Sequence, residues 1–201
     1  MLKNLIFYFT RLFFKFFFRI EVQGIGNIPQ NGPLIFASNH ISNYDPPAIM
    51  SFIYLKRKDI HVVAKKELFT NPLMGYFLEK MGTIPIDRKN PQISSIKKSI
   101  EILNQKKSLL IFPEGTRKKE NRDIEVKDGI SFIAYKTNSK ILPLKIDIAK
   151  NKSKLGKIII VFGKPIDIER YRFSDKQSFK NLSKEVMERI YSLKIIRESD
   201  V

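Results

Sequence analysis

Leu34-Ile35-Phe36-Ala37-Ser38, continued directly by Asn39-His40-Ile41-Ser42-Asn43-Tyr44-Asp45 and Pro46-Pro47, is the stretch on which the fold turns. The first five residues are small or apolar without alternation, which reads as a strand covered on both faces. Pro46 and Pro47 suit the first turn of a helix reaching about Leu55, with Asp45 at its cap. A buried strand that feeds a helix is the repeating unit of α/β architectures.

Working outward, the same alternation recurs. Upstream, Ile20 to Gly24 starts a short strand, and GIGNIPQNGP holds the Gly, Pro and Asn of a turn. Downstream, strands are expected at His61–Ala64, Thr83–Ile86, Leu109–Phe112, Ile141–Ile146 and Lys157–Phe162. Helices are expected around Leu73–Met81, Gln92–Lys106, Asp128–Thr137 and Lys176–Ile196. The chain therefore reads as one α/β domain over residues 20–201, preceded by a helical segment over 1–19. A length of 201 residues gives one sizeable core and little room for a second.

The segment MLKNLIFYFTRLFFKFFFRI is crowded with Phe and Leu but interrupted by Lys3, Arg11, Lys15 and Arg19. At about 100° per residue, Asn4, Arg11, Lys15 and Arg19 lie along one side of a helix. Phe7, Phe9, Phe13, Phe14, Phe16 and Phe17 then cover much of the rest. Central Arg11 and Lys15 disfavour a membrane span, and the absence of small residues after the apolar run disfavours a cleaved signal. The segment is expected to lie in a membrane interface; the competing reading is a core or dimer helix.

The formal net charge is +17, from 37 Lys and Arg against 20 Asp and Glu, so the molecule attracts polyanions. Anionic lipid, acidic carrier proteins and nucleic acid all qualify on charge. No aromatic RNA-binding pattern or zinc-finger spacing accompanies it, so nucleic acid is not an expected partner. There is no cysteine, which excludes disulfides, thiolate nucleophiles and Cys-ligated zinc. With His40 and His61 the only histidines, no metal is expected.

Three blocks can carry chemistry. In the first, a turn at Ser42 and Asn43 folds Asp45 toward His40, so that the carboxylate engages one ring nitrogen and leaves the other as a base. In isolation this pattern is more often a capped turn. No Ser or Cys nucleophile accompanies it, which points to direct attack by a substrate hydroxyl. In the second, Phe112-Pro113-Glu114-Gly115-Thr116-Arg117 follows a strand; Gly115 permits a tight turn, and Arg117 can grip a phosphate bidentately. Glu114 can bind a glycerol hydroxyl or hold the basic residues, although a polar turn with an exposed ion pair is the plainer reading. In the third, Gly82-Thr83-Ile84-Pro85-Ile86-Asp87-Arg88 brings Arg88 off a strand end. Ile141-Leu142-Pro143-Leu144-Lys145-Ile146 reads first as a core strand bent near Pro143, whose apolar faces can border an acyl tunnel.

Taken together and in this order, NHISNYD, GTIPIDR, FPEGTR and ILPLKI resemble the four motif blocks of the 1-acylglycerol-3-phosphate acyltransferases, within the glycerolipid acyltransferases. The resemblance runs from about Ile20 to Gly163. It implies a mixed β-sheet flanked by helices, His40 as general base, and Asp45 as its orienting partner. It also implies Arg88, Glu114, Gly115 and Arg117 as the acceptor-binding set, with Lys65, Lys127 and Gly129 at family-like positions. The implied reaction passes a fatty acyl group from acyl-coenzyme A or an acyl-carrier protein to lysophosphatidic acid at the sn-2 hydroxyl, without a cofactor. The implied location is peripheral or monotopic, on the cytoplasmic face of the cell membrane. Two departures stand out: Lys118 where Ser is common, and one N-terminal amphipathic helix instead of two. The rival readings are another lysolipid acceptor, or a non-catalytic basic protein that binds membranes or nucleic acid.

Overall fold

The computed structural model describes residues 2–86, 91–115, 128–151 and 154–196. Its strands are β1 (Arg19–Gln23), β2 (Leu34–Ser38), β3 (Ile60–Lys65), β4 (Thr83–Ile86), β5 (Ser108–Ile111), β6 (Lys140–Asn151) and β7 (Lys154–Phe162). Its helices are α1 (Leu2–Phe17), α2 (Asp45–Ile53), α3 (Pro72–Lys80), α4 (Pro91–Asn104), α5 (Gly129–Thr137) and α6 (Lys176–Ser192). The strands form a single mixed sheet in the order β1-β7-β6-β2-β5-β3-β4. From β6 to β4 all neighbours are parallel, β7 is antiparallel to β6, and β1 runs parallel to β7.

Alternate residues of the central strands feed two cores. Leu34, Phe36, Leu110, Leu142 and Leu144 face Phe7, Phe14, Ile49 and Ile53 of α1 and α2. Ile35, Ala37, Leu109 and Ile141 face Leu103, Ile130, Ala134, Val186 and Ile190 of α4, α5 and α6. Every residue of β2 is buried, as a strand sandwiched between two helical layers must be. The α/β architecture expected from the alternation, and the mixed sheet flanked by helices that the resemblance implies, are thus the observed ones.

β6 is longer than the expected Ile141–Ile146. β2 ends at Ser38, paired with Leu144, whereas β6 continues to Asn151 with β7 and β1 alongside. In this extension Ile146 and Ile148 alternate with Lys145 and Asp147, the pattern of a sheet covered on one face. The three strands stand as a wall beyond the carboxyl end of β2. Pro143 sits where the β7 ladder ends: its carbonyl accepts from Gly163 N at 2.8 Å, and Ile141 bridges to Ile166.

α1 corrects the sequence reading of its faces. Phe7 and Phe14 are buried, Phe7 stacks on Tyr54 at 4.1 Å, and Phe14 meets Tyr44 edge to face. Asn4 accepts from the Tyr54 hydroxyl, and Arg11 donates to the Ser51 carbonyl at 3.2 Å. Two residues of the polar side, Asn4 and Arg11, are thus tied to the α2 segment, while Lys15 on the same side stays exposed. The opposite side exposes Leu5, Phe9, Leu12, Phe13, Phe16 and Phe17. Among the described residues, no helix is long and apolar enough to cross a membrane.

Candidate active site at the carboxyl edge of the sheet

Strands β2, β5, β3 and β4 all point their carboxyl ends at one edge, where open α/β sheets form binding crevices. Asn39 holds the end of β2 there. Its side-chain amide donates to the Ile146 carbonyl at 2.8 Å and accepts from Ile146 N at 2.9 Å, mimicking one more rung of backbone pairing. His40 follows immediately, on backbone that is pinned on the β6 side.

The turn after His40 folds Asp45 back. Asp45 Oδ2 accepts from Ile41 N at 2.6 Å and Ser42 N at 2.7 Å, and lies 2.8 Å from His40 Nδ1. An oxygen that already accepts two amide hydrogens accepts the ring contact as a third, so the shared proton sits on Nδ1, which donates. The other ring nitrogen, Nε2, is then left with a lone pair. Asp45 is not the helix cap expected from the sequence. Tyr44 takes that position without a side-chain bond, and Asp45 opens α2 with its carboxylate aimed backward. The residue is fully buried and its Oδ1 has no hydrogen-bond partner among the described residues, a cost set against the three contacts of Oδ2.

β5 supplies the second wall. Phe112, just past its end, stacks on the His40 ring at 4.3 Å between centroids and 29° between planes. Gly115 N donates to the Phe112 carbonyl at 3.0 Å, and Gly115 has φ 67°, the left-handed turn that favours glycine. Between them Glu114 is 3% exposed; its Oε1 accepts from the Tyr191 hydroxyl at 2.6 Å, while its Oε2 is buried without a hydrogen-bond partner among the described residues. Burial, and after it the bond to Glu114, pushes the Tyr191 hydroxyl above the usual tyrosine range, so it remains a donor.

The remaining sequence-derived candidates divide in two. Lys65 ends β3, exposed, on the same edge one strand beyond β5. Gly129 opens α5, and no atom stands within 4 Å of where its Cβ would be, so packing does not demand glycine there. Arg88, Arg117 and Lys127 lie outside the described residues. Leu142, Leu144 and Ile146 of the ILPLKI block are buried core residues. The open apolar groove lies elsewhere: Leu5, Phe9 and Phe13 of α1, Tyr44, Pro47 and Phe77 line about 400 Å3 beside the dyad's own turn.

Sequence reasoning missed three residues. Asn39 carried a signal, being an amide placed where a buried strand ends. Phe112 stood inside a quoted block without a role. Tyr191 carried none, since it meets Glu114 across 77 residues of chain.

A family model described as Acyltransferase matches residues 19–147. The 1-acyl-sn-glycerol-3-phosphate acyltransferase of Bacillus subtilis is 33% identical over 73% of this chain and 73% of its own length. The chloroplastic 1-acyl-sn-glycerol-3-phosphate acyltransferase LPAT1 of Arabidopsis thaliana is 31% identical over 65% of this chain, and that match spans only 36% of the plant protein. The crystal structure of the 1-acyl-sn-glycerophosphate (LPA) acyltransferase PlsC from Thermotoga maritima superposes with a TM-score of 0.72. At 24% identity, covering 96% of this chain and 81% of that one, it shows the same fold.

Proposed function

The chain belongs to the acyltransferase family, and from that premise we propose that it transfers a fatty acyl group from an acyl thioester to the sn-2 hydroxyl of 1-acylglycerol-3-phosphate, giving phosphatidic acid. The carrying observation is the contact of His40 Nδ1 with Asp45 Oδ2 at 2.8 Å, which leaves Nε2 as the base. The names of the relatives support the acceptor.

In this reading the acceptor hydroxyl donates to His40 Nε2 and its oxygen attacks the thioester carbonyl. The proton passes to Nε2 as the carbon–oxygen bond forms. The tetrahedral intermediate expels the thiolate, which recovers the proton from the imidazolium as a thiol, so His40 ends as it began. Asp45 offsets the positive charge that develops on the ring and, with Phe112, holds its plane. General-base assistance of this kind contributes about 10² to 10⁴-fold, and alignment of hydroxyl and thioester supplies much of the rest. Arg88 and Arg117 are assigned to the acceptor phosphate, with Lys65, Lys127 and Gly129 as secondary contacts. Glu114 Oε2 is assigned to a hydroxyl of the phosphoglycerol group. The donor is acyl-coenzyme A or an acidic acyl-carrier protein, which the +17 net charge would attract.

A lipid acceptor requires a lipid surface. The exposed Phe and Leu ridge of α1, with the apolar groove beside Tyr44, suits the interface of an anionic bilayer. Deleting α1 would strip Phe7 and Phe14 from the core, at about 3–5 kcal/mol for each truncated ring. Replacing the exposed Phe9, Leu12 and Phe16 together with Glu tests the surface alone. Loss of sedimentation with anionic vesicles at an unchanged thermal transition is expected, and full sedimentation would refute the interface.

The deciding experiment incubates purified protein with lysophosphatidic acid and each donor in turn and weighs the lipid product. A product heavier by one acyl group, formed by the wild type and lost in His40→Ala, is expected. Lysophosphatidic acid left unchanged with both donors would overturn the proposal.

A further inference from the structure

The family match ends at residue 147, yet a residue well beyond it reaches the site. α6 buries Leu182, Val186 and Ile190 against the second core, each four residues from the last, so the helix has a fixed face and a fixed axis. Tyr191 stands next to that buried stripe, in the last turn of the helix. Lys145 of β6 donates to the backbone carbonyls of Tyr191 and Leu193, both at 3.3 Å, and ties this turn to the wall beside β2. From there the Tyr191 hydroxyl donates to Glu114 Oε1 at 2.6 Å.

The consequence lies on the other carboxylate oxygen. Glu114 is nearly fully buried and its Oε2 has no hydrogen-bond partner among the described residues. A buried carboxylate oxygen in that condition costs stability, and a carboxylate free to rotate would swap its oxygens. A bond to one oxygen from a helix docked independently prevents the swap and fixes where the other points.

We infer that Tyr191 is a positioning residue for acceptor recognition: α6 holds Glu114 by one oxygen so that the other meets a hydroxyl of the lysophospholipid's phosphoglycerol group. This rests on the function proposed above and adds to it a determinant outside the family's motif blocks. Tyr191 acts through Glu114, so removing its hydroxyl loosens acceptor binding while the dyad and the donor side stay as they were.

The test compares two tyrosine-to-glutamate hydrogen bonds made with α6, one by a tyrosine on the helix and one by a tyrosine before it. Tyr171 donates to Glu185 Oε1 at 2.8 Å, a similar pair that also ties a tyrosine to α6 but involves no residue of the site. Tyr191→Phe and Tyr171→Phe are assayed with lysophosphatidic acid and an acyl thioester, each substrate varied in turn. Tyr191→Phe is expected to raise the acceptor KM roughly tenfold, as for one lost bond to a charged group, with kcat and donor KM within about twofold of wild type. Tyr171→Phe is expected to leave all three unchanged. An unfolded fraction lowers apparent kcat without moving KM, so the readout survives partial misfolding; Tyr191→Leu, which also lacks the hydroxyl, is the second variant. Wild-type kinetics in both Tyr191 variants, equal effects on donor and acceptor KM, or the same KM rise in Tyr171→Phe would overturn the inference. A wild type that fails to acylate lysophosphatidic acid removes the underlying function as well, whereas an active wild type with an indifferent Tyr191 removes the inference alone.

Discussion

His40 and His61 are the two histidines of the chain, and they occupy opposite ends of the same sheet. Each ring sets its tautomer through Nδ1, His40 against Asp45 Oδ2 and His61 against the Asp59 carbonyl at 2.7 Å. Each is left with a lone pair on Nε2. The surroundings differ. His40 follows a strand whose last amide is locked to β6, beside a buried carboxylate, under the face of Phe112. His61 lies at the amino end of β3, where burial first, and then Lys3 and Lys107, push its pKa below the ordinary 6.5. The Asp59 carbonyl, and more weakly its carboxylate, favour a charge on the ring, but burial outweighs them and two nearby ammonium groups add to it. The tautomer alone thus does not make a base; a partner that can offset the charge formed on proton uptake is also needed.

Substitutions can break this comparison at several depths. His40→Ala should lower kcat with lysophosphatidic acid by up to about 10⁴-fold, at the upper end of general-base contributions, with binding to anionic vesicles retained; a modest loss would show that the base lies elsewhere. Asp45→Asn should cost about 10²-fold, because an amide can donate to Nδ1 and leave the proton on Nε2. Activity of that variant within tenfold of wild type would mean that the carboxylate serves the turn alone. Phe112→Leu keeps an apolar neighbour but loses the flat face against the ring, and a drop of roughly five- to tenfold in kcat is expected; an unchanged kcat would make the stacking incidental.

The smallest effect belongs to the other histidine. His61→Gln should leave kcat and both KM values within about twofold, and a larger kinetic loss would show that both histidines serve the reaction. Its signature is in stability. A folded-state pKa below 6.5 means that the unfolded chain binds the extra proton more readily, so stability is full above about pH 6.5 and falls as pH drops toward the folded value. Thermal transitions followed from pH 7.5 to 5 should show this component in the wild type and its loss in His61→Gln. Parallel pH curves for the two proteins would contradict the buried, cation-flanked setting of the ring.

Much of the site was legible because its determinants are local. Four residues separate His40 from Asp45, so a single turn at Ser42 and Asn43 suffices to return one to the other. Pro46 and Pro47 fix a helix start, and LIFAS can only be buried. The cap assignment of Asp45 failed for an equally local reason: its carboxylate has two competing sets of amide donors, those of α2 ahead and those of Ile41 and Ser42 behind, and spacing does not rank them. The faces of α1 failed because Phe occurs nearly all round it, so periodicity gives no direction. Phe7 and Phe14 go inward because Tyr54, Tyr44 and the sheet are there to receive them.

The alternation of strands and helices, and a spacing that lets one turn bring Asp45 to His40, were written in the sequence, since both rest on side-chain periods and turn chemistry over a few residues. Only the tertiary structure decided the rest. It set β1 beside β7 at the sheet edge, carried β6 past the end of β2, tied Asn4 and Arg11 of α1 to the α2 segment, and brought Tyr191 to Glu114. Those outcomes depend on which distant surfaces exclude water from one another, a competition among all segments at once that no short stretch of chain encodes.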